Sequence, residues 1–510
     1  MNFLRLPDEL EGPWEHALIL TYGMDAPFFE NALSGQFGFR CRSRIILVDG
    51  RRYLAACADY ARDRSVRHFN QEYVAEGIFT PRSAHAKLIL LTNQERGRLF
   101  VGSGNLEWQG YGSGGELFTR YEYSQDHMES LNAFLAAREL IEGLVDRQYV
   151  SGQAEKRITY LLENTPWLFH SPNGEWQPVR HNLRRSFLEQ LQQAVGSEKI
   201  EELWVLSPFY DLELVALKKL LTVFDPHRTV LLVQPLRTSL DPQRLQGVVD
   251  NSRGRCEVRA ISMEGLSLYL HAKMYLLKLA GRAICLQGSP NLSQAAMLLT
   301  DPQGNIEVAN LLIDEPAAFD HLLDALSIQP ATVELHELGL SYRTPEADSG
   351  QLSSPWYLTS GEWHDNQLCL AFHGPLPALE EAFVVIADHA FPIDLSRRGP
   401  QSLEVKLPEE AIALLGRPVP VLLRWGEDQA ASMSNALFVC NRAALDAALE
   451  LPEDGKDVRR IGALDLDDKE LEEVLAELES VLVIDRRSVW QMTGRSLPSG
   501  STEDDDTALH

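Results

Sequence analysis

The chain has 510 residues, 45% hydrophobic and 24% charged, the balance of an ordinary globular protein with roughly three domains' worth of core. Its formal charge of −26 is unevenly spread: residues 1–330 carry 33 Lys+Arg against 40 Asp+Glu, and residues 331–510 carry 14 against 33. So acidic a body argues against an anionic membrane surface as partner, while a local basic cleft stays open to the first two-thirds. No apolar run is long enough to span a bilayer, and Met1-Asn2-Phe3-Leu4-Arg5 lacks a signal-peptide core. Cysteines 41, 57, 256, 285, 369 and 440 contain no Cys-x-x-Cys pair, so a cytoplasmic protein with reduced thiols is expected, without a disulfide framework or zinc site.

Along the chain, Ala17–Tyr22 reads as a strand, followed by a helix opened by Asp25 and Pro27, then a second strand at Arg44–Val48. A longer helix is expected over Met128–Val145. The second half repeats the rhythm, with strands at Glu202–Leu206 and Thr229–Val233 and helices at Leu212–Val223 and Pro242–Val249. Alternating strands and helices imply an α/β layered fold. Leu270–Leu277 is short and apolar and reads as a strand. Ser341–Pro355 is rich in Ser, Pro and Gly and reads as a linker. Beyond it, Gln367–Phe372, Ala382–Ile386 and Val421–Trp425 predict a mostly β accessory region, Asp465–Leu482 an acidic amphipathic helix, and Ser499–His510 a disordered tail. The expected divisions are residues 1–150, 151–335, 336–450 and 451–510.

One constellation occurs twice. His85-Ala86-Lys87 leads to Gly102-Ser103-Gly104-Asn105, and His271-Ala272-Lys273 leads to Gly288-Ser289-Pro290-Asn291, each asparagine 20 positions after its histidine and the copies 186 residues apart. A single His-Ala-Lys is an ordinary strand with a buried histidine, and a single Gly-Ser-x-Asn an ordinary turn; the repetition in order and spacing makes them a site. On a strand, residues i and i+2 share a face, which would align His85 with Lys87 and His271 with Lys273. Two imidazoles suit a phosphodiester: one neutral ring attacks phosphorus, and the other protonates the departing oxygen and then activates water. Lys87 and Lys273 would neutralise the non-bridging oxygens, which Asn105, Asn291, Ser103 and Ser289 would orient by hydrogen bonds.

Over about residues 1–330 these motifs resemble the phospholipase D superfamily, and Gly288-Ser-Pro-Asn-Leu-Ser293 looks very like its signature. The resemblance implies two α/β/α sandwich halves related by a pseudo-two-fold axis, one shared active site, a phosphohistidine intermediate and no metal or other cofactor. It implies His85 as nucleophile and His271 as general acid. Thr92 and Lys278 stand where the common pattern has aspartate, a departure similar to the tyrosyl-DNA phosphodiesterase branch and some nucleases, which shifts the expected substrate from lipid to nucleic acid. Glu116 and Glu307 resemble the acidic residues that orient the opposite histidine in that family; plain strand-edge glutamates are the alternative.

Trp108 and Tyr111 are candidates for base stacking or for core packing, and Arg40, Arg42, Arg44, Arg51, Arg52, Arg62, Arg64, Arg67, Arg180, Arg184, Arg185, Lys218 and Lys219 for phosphate contacts or plain solvation. Gly110–Gly115 is no phosphate-binding loop, because no Lys-Ser/Thr follows. The leading expectation is a metal-independent nuclease or DNA phosphodiesterase in genome defence or repair, alone or with a helicase-like partner docked through the acidic C-terminal third. A lipid phosphodiesterase and a non-catalytic nucleic-acid-binding subunit are the alternatives; the first lacks an amphipathic basic helix or membrane anchor, and the intact His, Lys and Asn of both copies count against the second.

Overall fold

In the computed structural model, residues 6–449 are described apart from 39, 64, 113–114, 151, 253, 263–268, 330–334, 344–355, 376–381 and 427–431. The expected linker lies largely outside these residues, and the acidic helix and tail wholly so.

The first sheet is built from β1 (His16–Thr21), β2 (Ser43–Asp49), β3 (Val74–Ile78), β4 (Leu88–Thr92), β5 (Gly97–Gly102) and β6 (Phe118–Tyr123), in the order β3-β2-β1-β4-β5-β6. The β1–β2 and β2–β3 pairs are parallel and the others antiparallel. Parallel pairing needs a crossover, and helix Gly50–Asp63 supplies it between β2 and β3. β1 is buried at every residue, as a central strand with both faces covered must be, which is why HALILT is a continuous apolar run rather than an alternating one.

The second sheet repeats the plan with β7 (Val179–His181), β8 (Ile200–Leu206), β9 (Arg228–Val233), β10 (Cys256–Ser262), β11 (Met274–Leu279), β12 (Ala283–Gly288), β13 (Val308–Asp314) and β14 (Ser327–Ile328), ordered β14-β10-β9-β8-β11-β12-β13-β7. Its inner six strands match the first sheet position for position, with β8–β9 and β9–β10 parallel and the antiparallel run beginning at β11. Helices Val215–Phe224 and Pro242–Asn251 make the crossovers. The latter starts at Pro242 behind Asp241, whose carboxylate accepts from the amides of Gln243 and Arg244.

The two sheets are locked by side chains from their antiparallel sides. Fully buried Asn310 of β13 donates to Val101 O (3.0 Å) and accepts from Tyr121 Oη (2.9 Å), so a buried amide is satisfied at both ends across the seam. Helices Leu131–Asp146 and Gly152–Glu163 cover one face of the first sheet, in a core that also takes Ile306 and Val308 from the other half.

The remaining strands are β15 (Tyr357–His364), β16 (Gln367–His373), β17 (Phe383–Ile386), β18 (His389–Pro392), β19 (Asp394–Arg398), β20 (Ser402–Lys406), β21 (Pro420–Trp425), β22 (Ser432–Met433), β23 (Leu437–Phe438) and β24 (Cys440–Asn441). They form two five-stranded sheets, β19-β20-β16-β15-β24 and β18-β17-β21-β22 with β23 against β21. Burial alternates along β16, β17 and β20, so each shows one face to the core and one to solvent. Their core is continuous with that of the first half: the Phe69 and Phe438 rings lie 5.4 Å apart. Asn70, in the left-handed region at φ 58°, stitches the contact, donating to Phe438 O (2.6 Å) and accepting from the Ala75 amide (2.7 Å). Five cysteines are buried, Cys369 is partly so, and all six are free. No helix of the described residues is long and apolar enough to cross a membrane.

Candidate active site

Each histidine is placed by backbone of the other half. The His85 amide donates to Ile306 O (2.8 Å) and the Ile306 amide to Ser83 O (2.9 Å), while the amides of His271 and Ala272 both donate to Gly115 O (2.8 and 2.9 Å). The His-Ala-Lys triplets are therefore not inside strands as the apolar run implies. β4 starts at Leu88 and β11 at Met274, because the amides of His85, His271 and Ala272 spend their hydrogen bonds between halves rather than within their own sheet. Gly115 sits at φ +85° with Tyr269 O directly where a side chain would begin, so the contact needs glycine there.

The cross-pairing carries Glu307 to His85 and Glu116 to His271. His85 Nδ1 lies 2.9 Å from Glu307 Oε2, and His271 Nδ1 lies 2.8 Å from Glu116 Oε1. The serine of each Gly-Ser turn holds its own half's glutamate: Ser103 Oγ donates to Glu116 Oε2 (2.5 Å), and Ser289 Oγ donates to Glu307 Oε2. The same hydroxyls accept from the amides of Leu117 and Val308, each at 3.0 Å. Asn182, fully buried, accepts from the Glu307 amide (2.8 Å) and donates to Asn305 O (2.7 Å). Nothing in the sequence marked Asn182.

Both lysines are buried, Lys87 at 1% and Lys273 at 0% exposure. Lys87 Nζ donates to His85 O (2.8 Å). Lys273 Nζ donates to His271 O (2.7 Å) and lies 2.8 Å from His271 Nε2. The two lysines lie within electrostatic reach of each other, and Lys273 within reach of His85, so the motif copies converge on one site. Asn105 Oδ1 and Asn291 Oδ1 are buried without a hydrogen-bond partner among the described residues, which leaves both amides free to turn and donate to an anion.

Burial dominates the titration of this cluster. It pulls His85 down to about 4, against the opposing charge of Glu307, and Lys87 down to about 8, against Glu307 and Glu116. His271 is lowered by burial and by Lys273, and Lys273 itself falls well below the ordinary ammonium range. Burial pushes Glu116 and Glu307 up, but the facing imidazole, lysine and serine more than offset it, and both stay below the usual carboxylate range. Glu116 and Glu307 thus stay ionised while burial works against charge on both rings and both lysines, and each glutamate holds the proton of its imidazole on the nitrogen facing it. A phosphodiester adds one negative charge and so favours protonation of one ring.

The duplication extends past the motifs, at the same offset of 186 or one residue from it. Thr21 Oγ1 accepts from the Leu106 amide (2.9 Å) and Ser207 Oγ from the Leu292 amide (3.0 Å); the Asp25 and Asp211 amides donate to Leu106 O and Leu292 O. Asp49 Oδ2 accepts from the Ala84 amide (2.9 Å) as Gln234 Oε1 does from the Leu270 amide (3.0 Å), fixing the residue ahead of each histidine. An aromatic ring edges each imidazole, Tyr22 at His85 (4.9 Å between centroids) and Phe209 at His271 (6.0 Å). Trp108 and Tyr111 pack edge-on against Phe28 instead, in the core of the first half. Thr92 is buried and shares a hydrogen bond with Thr165, whereas Lys278 pairs at the surface with Asp320.

No protein-family model matches the chain, and no curated protein matches it. Among solved structures it is similar to a polyphosphate kinase from Porphyromonas gingivalis, at 12% identity and a TM-score of 0.37, over 62% of this chain and 43% of that one. It is also similar to a phosphatidylserine synthase from Haemophilus influenzae Rd KW20, at 13% identity and a TM-score of 0.41, over 66% of this chain and 88% of that one. The chain thus spans under half the length of the kinase. Likenesses this distant leave the chemistry to be argued from the site.

Proposed function

We propose that this protein is a metal-independent phosphodiesterase of phospholipase D type that cleaves nucleic acid through a phosphohistidine. The crossed His85–Glu307 and His271–Glu116 pairs carry this reading, because they supply two imidazoles of fixed tautomer within one buried, lysine-lined site. Glu307 accepts a hydrogen bond from the Nδ1–H of His85, which leaves the Nε2 lone pair to attack phosphorus. The P–O bond to the departing group breaks as the P–Nε2 bond forms, and the leaving oxygen takes a proton from Nε2 of His271. In the second step His271 accepts a proton from water, the hydroxide oxygen bonds to phosphorus, and the P–Nε2 bond of His85 breaks. Lys87, Lys273, Asn105 and Asn291 hold the non-bridging oxygens as charge accumulates on them.

Nucleic acid rather than lipid is favoured by Thr92 and Lys278 at the two departures from the common pattern. A role in genome defence or repair, with a partner docked on the acidic C-terminal third, belongs to the same proposal. The test uses wild type, His85→Ala and His271→Ala with labelled single- and double-stranded DNA and RNA in excess EDTA. Cleavage by wild type alone supports the reading; cleavage that EDTA stops, or that survives His85→Ala, overturns it. Hydrolysis of phosphatidylcholine vesicles without any nucleic-acid cleavage would move the substrate to lipid.

A further inference from the structure

The two sides of the site differ most where the repeat breaks. On the His85 side, Arg52 lies 5.0 Å from the Tyr22 ring centre, within the electrostatic reach of half-buried Glu107, which also faces Asp25. The repeat equivalent of Glu107 is Ser293, whose hydroxyl only caps the amide of Ala296. On this side one guanidinium faces two carboxylates, which gives a second phosphate no net attraction.

The His271 side is built otherwise. Phe209, edging His271, is bridged to Ser239, and Ser239 in turn to Ser341. Ser239 Oγ accepts from the Arg343 amide (2.9 Å), and the Arg343 guanidinium donates to Leu236 O (2.9 Å). Leu236 is 68% exposed at φ 62°, an unfavourable conformation for a branched residue, held by its own amide bond to Leu338 O (3.0 Å). This laced rim sets Arg237 and Arg343 within electrostatic reach of Tyr269, whose ring lies 5.8 Å from that of His271. Among the described residues neither arginine pairs with a carboxylate, and the carboxylate acting on Tyr269, Glu116, is hydrogen-bonded to His271.

We infer that Arg237 and Arg343 bind a second phosphate one linkage from the scissile one, with Tyr269 and Phe209 as the apolar wall for the group between them. The inference rests on the phosphodiesterase reading with His85 as nucleophile. In-line attack by His85 puts the departing oxygen beside His271, so the departing group is the one that carries the second phosphate. The group left on His85 faces Tyr22, Arg52 and Glu107 and needs none. The substrate is accordingly a polyanionic chain cut with a fixed polarity.

Three small substrates test this: dithymidine monophosphate, and the same dinucleotide carrying a terminal phosphate at either its 5′ or its 3′ end. One phosphorylated isomer, and only one, gains about tenfold in kcat/KM over the other from two charge-assisted contacts. The double substitution Arg237→Ala, Arg343→Ala brings the ratio of the two isomers to about one. Because the ratio is taken on one preparation, partial misfolding does not imitate the result. Equal cleavage of both isomers by wild type, or a ratio unchanged by the substitutions, overturns the inference. If wild type cleaves none of the three, the nucleic-acid phosphodiesterase reading falls. The subsite is then judged by binding of a fluorescein-labelled single strand to His85→Ala protein. There the two arginine substitutions lower the slope of log affinity on log salt by about two, and an unchanged slope removes the subsite as well.

Discussion

Replacing Glu307 by Gln keeps the shape of the site and removes one charge, so it isolates what the carboxylate does for His85. Two effects add. An amide nitrogen 2.9 Å from Nδ1 donates rather than accepts, which drives the imidazole proton to Nε2 and takes away the lone pair that attacks. The charge is lost as well. The attacking ring turns cationic as the P–N bond forms, and unit charges about 4 Å apart at an effective dielectric of about 20 attract by about 4 kcal/mol. Taking about 3 kcal/mol of that as expressed in the transition state gives a loss of about 10²-fold, and the tautomer effect carries it toward about 10³. Lys87 suffers too, since Glu307 is the foremost charge keeping its proton on against burial. The assay is hydrolysis of bis(p-nitrophenyl) phosphate in EDTA at neutral pH, with KM and kcat separated, beside a thermal melt. The fold should hold, because Ser289 and Asn182 still bond the side chain and main chain at that position. Loss of less than tenfold in kcat with the melt unchanged would refute the carboxylate's part in the chemistry. Wild-type kcat with raised KM would reassign Glu307 to substrate binding.

Lys87 sets an alkaline limit. Its folded pKa of about 8 makes kcat/KM fall above that pH as the ammonium is lost, and Lys87→Arg should remove the limb from the profile while lowering the maximum. The stability signs follow from the same shifts. Lys87 is depressed below its unfolded value, so it costs about 3 kcal/mol below pH 8, a cost that fades between pH 8 and 10.5; Lys87→Met should therefore raise the melting temperature at neutral pH while abolishing activity. His85, down from 6.5 to about 4, makes stability fall by about 3 kcal/mol as pH drops from 6.5 to 4, and urea titrations should show that loss shrinking in His85→Phe. Asn105→Ala and Asn291→Ala should each cost about 10² in kcat with little change in KM, as donors aimed at developing charge do; a pure KM effect would make them ground-state binders. Asn70→Ala should destabilise by about 2–3 kcal/mol in urea, since it strands Phe438 O and the Ala75 amide in the interior; an effect below about 0.5 kcal/mol would show that the C-terminal sheets are not stitched on through this residue.

The α/β halves were legible because their central strands carry long apolar runs and their motifs repeat at a fixed offset. Sequence periodicity misplaced the His-Ala-Lys triplets inside strands for a physical reason: an apolar run reports burial and is silent on which backbone it pairs with. Here the burial comes from the opposite half, at Ile306 and Gly115. Asn182, Asp49 and Gln234 left no trace, because a side-chain amide or carboxylate bonded to main chain needs no particular neighbours in sequence. Tyr22 and Phe209 were hidden for a related reason. They stand one residue apart in the repeat frame and reach their histidines from loops rather than aligned strand positions.

The glutamates explain why such a site is built from two halves at all. Glu116 and Glu307 stand 191 residues apart, five more than the motifs they serve, so the turn leading to each was free to change length while the crossing was kept. A carboxylate within its own half would orient its histidine as well in geometry, but would leave each half with a complete buried His–Glu–Lys set and no need of the other. Crossing them makes docking and activation one event: neither ring is held in its working tautomer until the seam at Asn310 and Tyr121 is closed. Exchange of charge partners across that seam also leaves room for the halves to diverge, as Glu107 against Ser293 and Asp49 against Gln234 show. On the proposed reading, two rings with one pedigree thereby serve as a nucleophile on the side where one guanidinium faces two carboxylates and as an acid on the side where two arginines would receive the departing chain.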